Sequence, residues 1–331
     1  MSLRHINIPS MPWGHPPRCP TYRMATRIQT KLQEDLLAWK AAGSTTTTST
    51  STSTPSSSSS PAPPPPPALI TFTPSPTFTL GRRQDYPSAP ERQRMQERLT
   101  VSTYRPAPRS SWGFIKPDIV QTPRGGLTTY HGPGQVLFWP VIDLRSPLHK
   151  HFTVREYASL LEQTTIAALR RAYDVEGFTD PASPGVWARK VRTVMGPLGE
   201  DVEVQGPQEK LASLGVHLRR HVTGLGIAVN FRMNLDSNPK VNPWLRIEPC
   251  GHDGTAVTTV AKHVGDIPLS SAVDLLIPTW ADEFAKRLGV ANAVDPDAGP
   301  LIKEDGWTRW ILELDLARNP GFEIARKRRS S

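Results

Sequence analysis

The sequence predicts an α/β (α+β) protein in which helices flank a mixed sheet. Two long segments carry apolar residues at spacings of three and four, and short apolar runs of strand type lie between them. No internal repeat is present. Two cysteines in 331 residues exclude a disulfide scaffold and a cysteine-based zinc cluster.

The first predicted helix covers Tyr22–Ala42 and ends at Gly43. Ala68–Leu80 alternates in strand fashion and is interrupted by two prolines. Gln84–Ser111 is polar and rich in Arg and Pro, which predicts a long irregular loop. The apolar residues that define the helix share one face: Met24, Ile28, Leu32, Leu36 and Trp39.

The second half of the chain alternates strands and helices. Val154–Tyr173 predicts an amphipathic helix that begins with a capping box of Thr153 and Glu156, and a further helix is expected to end at Gly289. The remaining expectations are strands over Val136–Leu144, Lys210–His217 and Gly226–Phe231, a hairpin or loop over Lys190–Glu209, a turn before Val257–Val260, and helices over Ser270–Leu288 and Thr308–Ala317.

Between Ser44 and Pro67 every residue is Ser, Thr or Pro except Ala62. Such a tract buries too little apolar surface to offset its chain entropy, so we expect it to be disordered. One helix before it is too little for a separate domain, and we therefore interpret the tract as an insertion. The predicted organisation is a basic N-terminal segment 1–21, one domain 22–290 interrupted at 44–67, and a C-terminal extension 291–331 with a basic tail.

The composition excludes several classes of function. No apolar run approaches the roughly 18 residues of a membrane span, and neither a P-loop nor a dinucleotide fingerprint is present. The net charge of +9 suits nucleic acid or acidic protein partners. Two histidine pairs have metal-compatible spacing but no third ligand, so we expect no metal: His149 with His151, and His217 with His221.

Four short motifs carry the chemical signal: RGGLTTYHGPGQ at 124–135, GVW at 185–187, KLASLG at 210–215 and PCG at 249–251. Each also has an ordinary structural interpretation. A glycine-rich loop is most often a turn, a lysine that opens a strand is most often solvated, and a lone cysteine is most often buried. Cys250 lies between proline and glycine, however, and a tight turn gives its side chain little cover.

In this order the motifs resemble the octanoyltransferase family, the lipoyl(octanoyl) transferases of lipoate biosynthesis, in a fungal or mitochondrial-like version. Thr79–Arg83 is similar to the family's early T-L-G-R-R strand end. The resemblance spans about Tyr22 to Gly289 and implies a biotin/lipoate protein ligase-like fold, with 22–290 as the catalytic domain. It also implies an acyltransferase without a cofactor.

The resemblance implies transfer of an octanoyl group from octanoyl-acyl carrier protein to a lysine of a lipoyl domain, the first step of protein lipoylation. Cys250 would carry the acyl thioester, and Lys210 would activate the thiol and handle protons. Thioester exchange splits a difficult transfer into two easier steps, and a nearby ammonium favours the thiolate.

The implied partners are octanoyl-acyl carrier protein as donor, and lipoyl domains of 2-oxoacid dehydrogenase complexes and the glycine cleavage H protein as acceptors. Because such partners are usually acidic at the family level, we expect the basic surface to meet them rather than nucleic acid.

The family's substrate pocket maps onto three segments. Gly251 and the Gly125–Gly126 region are candidate oxyanion donors. His131 would orient the thioester carbonyl or serve structurally, and we favour the structural role. The full implied set is Arg124, Gly125, Gly126, Leu127, Thr128, Thr129, Tyr130, His131, Ser213, Leu214, Gly215, Gly226, Ile227 and Ala228.

One position departs from the family pattern. Leu225 stands where the family has histidine, and His221 lies close enough in sequence to compensate. This departure affects the expected polarity of the pocket and leaves the Cys250–Lys210 chemistry unchanged.

Two other functions remain open. An ATP-dependent lipoate or biotin ligase on the same fold would need no cysteine nucleophile, and retained activity of Cys250→Ala with ATP would favour it. A non-catalytic binding protein would bind the octanoyl carrier without a covalent intermediate.

The N-terminus has no acidic residue before Glu34, which together with the Ser/Thr/Pro insert suggests a mitochondrial location, or a cytoplasmic one if the protein is bacterial.

Deletion of Ser44–Pro67 should leave turnover nearly intact, because loop-closure entropy changes slowly with loop length. The measurement is steady-state turnover of folded protein with and without the tract. A large loss of activity would contradict its interpretation as an insertion.

Overall fold

The structure is a computed structural model. It describes residues 2–8, 19–45, 62–103, 111–195, 197, 200–247, 256–265, 267–268 and 270–292. Cys250, Gly251, the Thr308–Ala317 segment and the basic tail lie outside these ranges. In the described part, no helix combines the length and the apolar character that crossing a bilayer requires.

The helices in chain order are α1 Tyr22–Thr45, α2 Ala89–Gln96, α3 Val154–Tyr173, α4 Val260–Val264 and α5 Ile277–Leu288. The strands are β1 Ser2–Asn7, β2 Ala68–Phe72, β3 Thr77–Leu80, β4 Leu99–Thr103, β5 Ser111–Ile115, β6 Asp118–Gln121, β7 Thr129–His131, β8 Gln135–Val141, β9 Phe178–Asp180, β10 Ser183–Met195, β11 Asp201–Arg219, β12 Val222–Asn230 and β13 Ala291–Asn292.

Eight of the described strands form one sheet in the order β13-β1-β2-β8-β12-β11-β10-β9. β1 runs parallel to both of its neighbours. Every other pair in this sheet is antiparallel. The sheet is therefore mixed, and helices pack on both of its faces, which confirms the predicted α/β class.

The two faces of the sheet bury separate cores. Leu137 and Trp139 of β8 pack on the α1 side, whereas Phe138 between them packs against the α3 and α5 side. The Phe138 ring stacks on Trp280 with centroids 4.4 Å apart. Burial on both faces explains why the β8 sequence is apolar throughout instead of alternating.

A second sheet brings the glycine-rich motif to the main sheet. In the described residues it has the order β6-β3-β7, and β7 carries the Thr129–His131 part of the motif. Phe78 of β3 and Tyr130 of β7 bury their rings in a third core together with Trp244. A separate ribbon pairs β4 with β5.

The predicted α3 is confirmed, including its capping box. The Thr153 hydroxyl accepts a hydrogen bond from the Glu156 N–H at 3.2 Å, and the Glu156 carboxylate accepts one from the Thr153 N–H at 2.7 Å. The helix predicted over Ser270–Leu288 is also present and ends at Gly289, whose φ is +78°. Its first half contains a π-helical turn.

Several boundaries differ from the sequence predictions. Ala68–Leu80 is two strands, β2 and β3, which belong to different sheets. Gln84–Ser111 is not an irregular loop, since it contains α2 and β4. α2 buries only Met95 and therefore has no apolar period to reveal it, although Ser88 and Glu91 form a capping box that the sequence does show.

The Lys190–Glu209 segment is a hairpin, formed by the outer parts of β10 and β11, where Val194 faces Val202. β11 and β12 are each longer than the strands predicted at Lys210–His217 and Gly226–Phe231, because pairing between neighbouring strands extends them beyond their apolar stretches. Gly43 does not end α1, which continues to Thr45.

Both edges of the Ser/Thr/Pro tract belong to the described part of the chain. The Trp39 indole N–H donates to the Ala62 carbonyl at 2.8 Å, and the Arg4 N–H donates to the Pro67 carbonyl at 2.8 Å. The predicted boundaries 44–67 are therefore too wide. A deletion should be confined to 46–61, which lies outside the described residues.

The N-terminal residues that the sequence set apart from the domain take part in its sheet. β1 lies between β2 and β13, with Ile6 opposite Ile70 and Ser2 opposite Ala291. Leu3 is fully buried. The segment 2–7 thus belongs to the same sheet as the strands that follow, and so does the start of the predicted C-terminal extension.

Leu3→Ala should lower the free energy of unfolding by about 2–5 kcal/mol, the range for truncating a fully buried leucine. The measurement is chemical denaturation of full-length protein. Ser2→Ala is the matched control, because Ser2 is exposed on the same strand. An unchanged denaturation midpoint for Leu3→Ala would show that β1 contributes nothing to the folded domain.

Candidate functional site

Two adjacent strands form the floor of a cleft. Three residues of β11 lie directly opposite three of β12 in register: Ser213 with Ala228, Leu214 with Ile227, and Gly215 with Gly226. All six line one partly open cleft. The structure therefore brings together two of the three predicted pocket segments, 213–215 and 226–228.

The third segment contributes part of its residues to the cleft. Arg124, Thr129 and His131 line the wall, whereas Tyr130 points to the opposite side of β7 and lines a different cavity. This split follows from strand geometry, in which successive side chains alternate between faces. The other predicted residues, Gly125, Gly126, Leu127 and Thr128, do not line the cleft, and the first three are exposed.

Arg124 holds the glycine-rich loop in shape. Its guanidinium donates to the Thr79 carbonyl at 2.7 Å and to the Leu127 carbonyl at 2.8 Å. Its alkyl part lies against Gly215, where an added Cβ would come within 2.8 Å of Arg124 Cδ. The side chain that opens the motif thus ties the loop to both β3 and the floor of the cleft.

Lys210 lies three residues before Ser213 on β11, at a β-bulge. Val186 pairs with Ala212 but Trp187 pairs with Lys210, so Leu211 is the extra residue. A bulge re-aims the side chains beside it. The Lys210 side chain is buried, and its ammonium donates to Ser183 Oγ at 3.0 Å and lies 4.7 Å from the centre of the Trp187 ring.

A buried lysine is rare unless it is paired with a carboxylate. In the described ranges, no carboxylate pairs with the Lys210 ammonium. Its described partners are instead a hydroxyl and an aromatic face. This environment argues against the ordinary interpretation of Lys210 as a solvated residue at a strand edge.

The segment that follows the PCG motif pairs with the backbone of Lys210. The Lys210 N–H donates to the Ala256 carbonyl at 2.8 Å, and the Thr258 N–H donates to the Lys210 carbonyl at 3.0 Å. Cys250 lies six positions before Ala256 in the sequence and outside the described residues. The other cysteine, Cys19, is buried, and burial raises the pKa of its thiol to about 12.

A chain of buried polar groups connects the glycine-rich motif to Lys210. His131 Nδ1 lies 3.3 Å from Gln135 Oε1, and Gln135 Nε2 donates to Asn230 Oδ1 at 2.7 Å. Asn230 Nδ2 in turn donates to the Lys210 carbonyl at 3.3 Å. The network spans β7, β8, β12 and β11 and links one wall of the cleft to the strand that carries the lysine.

This network fixes the protonation of His131. Because Gln135 presents its carbonyl oxygen to the ring, Nδ1 carries the hydrogen. Burial and the nearby Arg124 lower the pKa of His131 to about 3, so the ring is neutral. It also stacks on Tyr22, with centroids 5.5 Å apart. These contacts favour the structural role predicted for this histidine.

The sequence did not point to several residues of the site. Ser183 and Asn230 contact Lys210, and Tyr22 and Trp139 line the cleft. Ser183 stands two positions before the GVW motif, and this closeness in sequence is the feature by which sequence analysis could have found it. His221 does not line the cleft: it sits in the turn after β11 and borders another cavity, so it does not substitute for a residue at position 225.

The described residues contain no group of three His, Cys, Asp or Glu side chains that could hold a metal ion. Among the described residues that line the cleft, polar side-chain atoms come from three hydroxyls, an imidazole, an indole and a guanidinium rather than from carboxylates. The arrangement suits a narrow, largely apolar ligand with one polar end.

Comparison with known sequences identifies a family for this chain. Residues 57–284 match the model of the lipoyl protein ligase A/B catalytic domain. An octanoyltransferase of Cellvibrio japonicus is 32% identical over 208 residues, which cover 62% of this chain and 82% of the relative. One of Chromohalobacter salexigens is 37% identical over 171 residues, 52% of this chain and 64% of the relative.

These matches show that the chain belongs to the lipoyl protein ligase A/B catalytic-domain family. Within that family it groups with the octanoyltransferases and is an acyltransferase. Among solved structures, a bipartite lipoate protein ligase of Thermoplasma acidophilum is similar at a TM-score of 0.49 and 12% identity, covering 97% of this chain and 94% of that chain. The family assignment rests on the sequence matches.

Gly81→Ala should lower the free energy of unfolding by about 2–3 kcal/mol through overpacking. An alanine Cβ at this position would lie 1.8 Å from the Gly126 carbonyl oxygen, so the glycine-rich loop must shift. Gly125→Ala is the control, because its Cβ would meet nothing within 4 Å. Equal denaturation midpoints for the two variants would contradict close packing of the loop on β3.

Proposed function

We propose that this protein transfers an octanoyl group from octanoyl-acyl carrier protein to a lysine of lipoyl domains, through a thioester on Cys250. The observation that carries the proposal is the position of Lys210. It is buried without a described carboxylate partner, at the end of the cleft floor, and its backbone pairs with the segment that follows Cys250.

The cleft supports an acyl substrate. Ala228, Leu225 and Trp139, which pack on the face of the sheet that borders the cleft, supply its apolar side chains. Family membership and the octanoyltransferase relatives support the same substrate class. The chain spans between 58% and 82% of the curated relatives' own length, so donor and acceptor are assigned here as part of the proposal.

In the first step the Lys210 ammonium stabilises the Cys250 thiolate, which attacks the thioester carbonyl carbon. The carbon–sulfur bond to the carrier breaks, and the carrier thiolate takes a proton from Lys210, which leaves a neutral lysine amine for the second step. In the second step the acceptor lysine amine attacks the Cys250 thioester, gives a proton to Lys210 and displaces the Cys250 thiolate. Both steps conserve charge and need no external energy source.

Ser183 and Trp187 position Lys210 in this scheme. The Ser183 hydroxyl accepts from the ammonium, and the Trp187 ring covers it. Both contacts remain available when the lysine is protonated. Neither contact neutralises the positive charge of the lysine, whereas an ion pair with a carboxylate would. The lysine can therefore exchange its proton with a sulfur or an amine.

An ATP-dependent ligase on the same fold is the alternative, since the family model covers ligases and transferases together. A ligase would act through an acyl-adenylate and would not need the thiol of Cys250. Lys210 is buried with no carboxylate partner among the described residues, and its backbone pairs with the segment that follows Cys250 in sequence. This arrangement favours the transferase.

Wild-type protein mixed with octanoyl-acyl carrier protein, without ATP, should gain one octanoyl adduct that hydroxylamine removes. Intact-protein mass spectrometry measures the adduct. Cys250→Ala should lose it completely, because the proposed nucleophile is gone. Lys210→Ala should form it at least about 100-fold more slowly, the low end of the contribution of a positioned acid–base group.

Cys19→Ala is the matched control and should form the adduct as the wild type does, because Cys19 is buried and its pKa is raised. Transfer that requires ATP and free acid, with no adduct on any variant, would replace the transferase by the ligase. Binding of the carrier without adduct or transfer would indicate a non-catalytic binding protein.

A mitochondrial location remains part of the proposal and is supported by the acid-free N-terminus and the Ser/Thr/Pro tract. Cleavage after residue 21 would remove β1 from the main sheet. We therefore propose that β1 is retained in the mature protein.

A further inference from the structure

Leu225 has an unusual backbone conformation for its place in the fold. Four described residues other than glycine have a positive φ. Asp174 caps α3, and Arg220 and His221 form the turn after β11, where such angles are ordinary. Leu225, with φ +60°, instead lies within β12 and lines the cleft. A left-handed leucine inside a strand persists only when its surroundings impose it.

The neighbouring strand β8 has a proline, which has no N–H to donate, opposite Leu225. Ile227 pairs with Phe138 and Val222 bridges Asp143, so by counting along both strands Leu225 lies opposite Pro140. Proline has no N–H and interrupts a ladder inside a sheet. The β12 backbone is therefore free to leave the regular strand conformation between Thr223 and Gly226.

Two glutamines of α1, one turn apart, hold the displaced backbone. Gln29 Oε1 accepts from the Leu225 N–H at 3.0 Å, and Gln33 Nε2 donates to the Thr223 carbonyl at 2.9 Å. Gly224 lies between them, and its Cβ would come within 2.4 Å of Gln33 Nε2. The two amides take the place of strand partners and keep Leu225 in its left-handed conformation.

The cleft has a defined direction along the β11–β12 ladder. Ser213 and Ala228 lie at the end near Lys210, and Leu225, opposite Val216, lies at the far end. These two ends are three residue pairs apart, about 10 Å at the usual strand rise. At the far end Leu225 packs in the same apolar core as Tyr22 and Trp139, both of which also line the cleft.

We infer that Leu225 forms the end wall of the acyl pocket and sets the chain length that the enzyme accepts. This inference rests on the proposed function, which places the reacting carbonyl near Lys210 and the alkyl chain along the ladder. The terminal methyl of the chain then meets the Leu225 side chain, whose position is fixed by Gln29 and Gln33. Leu225 is a specificity-determining residue and takes no part in the transfer of protons.

Leu225→Gly tests the inference, because glycine adopts a φ of +60° without strain and removes the side chain. The ratio of kcat/KM for decanoyl- over octanoyl-acyl carrier protein should rise about tenfold, the low end of what a few methylenes decide in an apolar pocket. Leu225→Phe should shift the preference towards hexanoyl carrier. Calorimetric titration with octanoic and decanoic acid should show the same change in chain-length preference in the binding affinities, without requiring turnover.

Val229→Ala is the matched control, since Val229 lies on the same strand but is buried in the core on the opposite face of the sheet. It should lower stability and leave both ratios unchanged. Octanoyl transfer by wild type with unaltered ratios in both Leu225 variants would overturn the inference and leave the proposed function intact. A shift in fatty-acid binding without any transfer would overturn the proposed function and leave the end wall in place.

Discussion

The antiparallel pairing of β11 with β12 is the constraint on which the site depends. Its register sets Gly215 directly opposite Gly226, and each glycine leaves room for a group above it. Arg124 packs over Gly215, and the Phe138 carbonyl comes within 2.0 Å of a Cβ built on Gly226. A shift by one residue would exchange the faces of one strand relative to its partner, and the floor of the cleft would then carry different side chains.

The buried polar chain from His131 to the Lys210 carbonyl couples the wall of the cleft to the floor. All its members are neutral, so it avoids the cost of burying an ion, and each of its described bonds satisfies a group that water cannot reach. Loss of one amide would leave its partners buried and unpaired, which costs more than the bond itself contributes. The network therefore holds the glycine-rich motif and the lysine strand in one fixed arrangement.

Local signals in the sequence were sufficient for elements that are stabilised locally. α3 begins at a capping box and carries a long apolar face, and both are properties of neighbouring residues. α2 is short and largely exposed, so it lacks that face. β1 and the extensions of β11 and β12 depend on pairing with other strands. The residues of these segments therefore show no local pattern that predicts a strand.

The sequence by itself determined the family, and the order of its four motifs singled out Lys210, Cys250 and three pocket segments as the residues of the proposed chemistry. The tertiary structure decided which residues of those segments face the cleft, since alternation along β7 turns Tyr130 away while His131 faces inwards. It also decided the environment of Lys210 and the conformation of Leu225. These depend on Ser183, Pro140 and Gln29, because contacts between residues far apart in the chain form only when the sheet and α1 pack together.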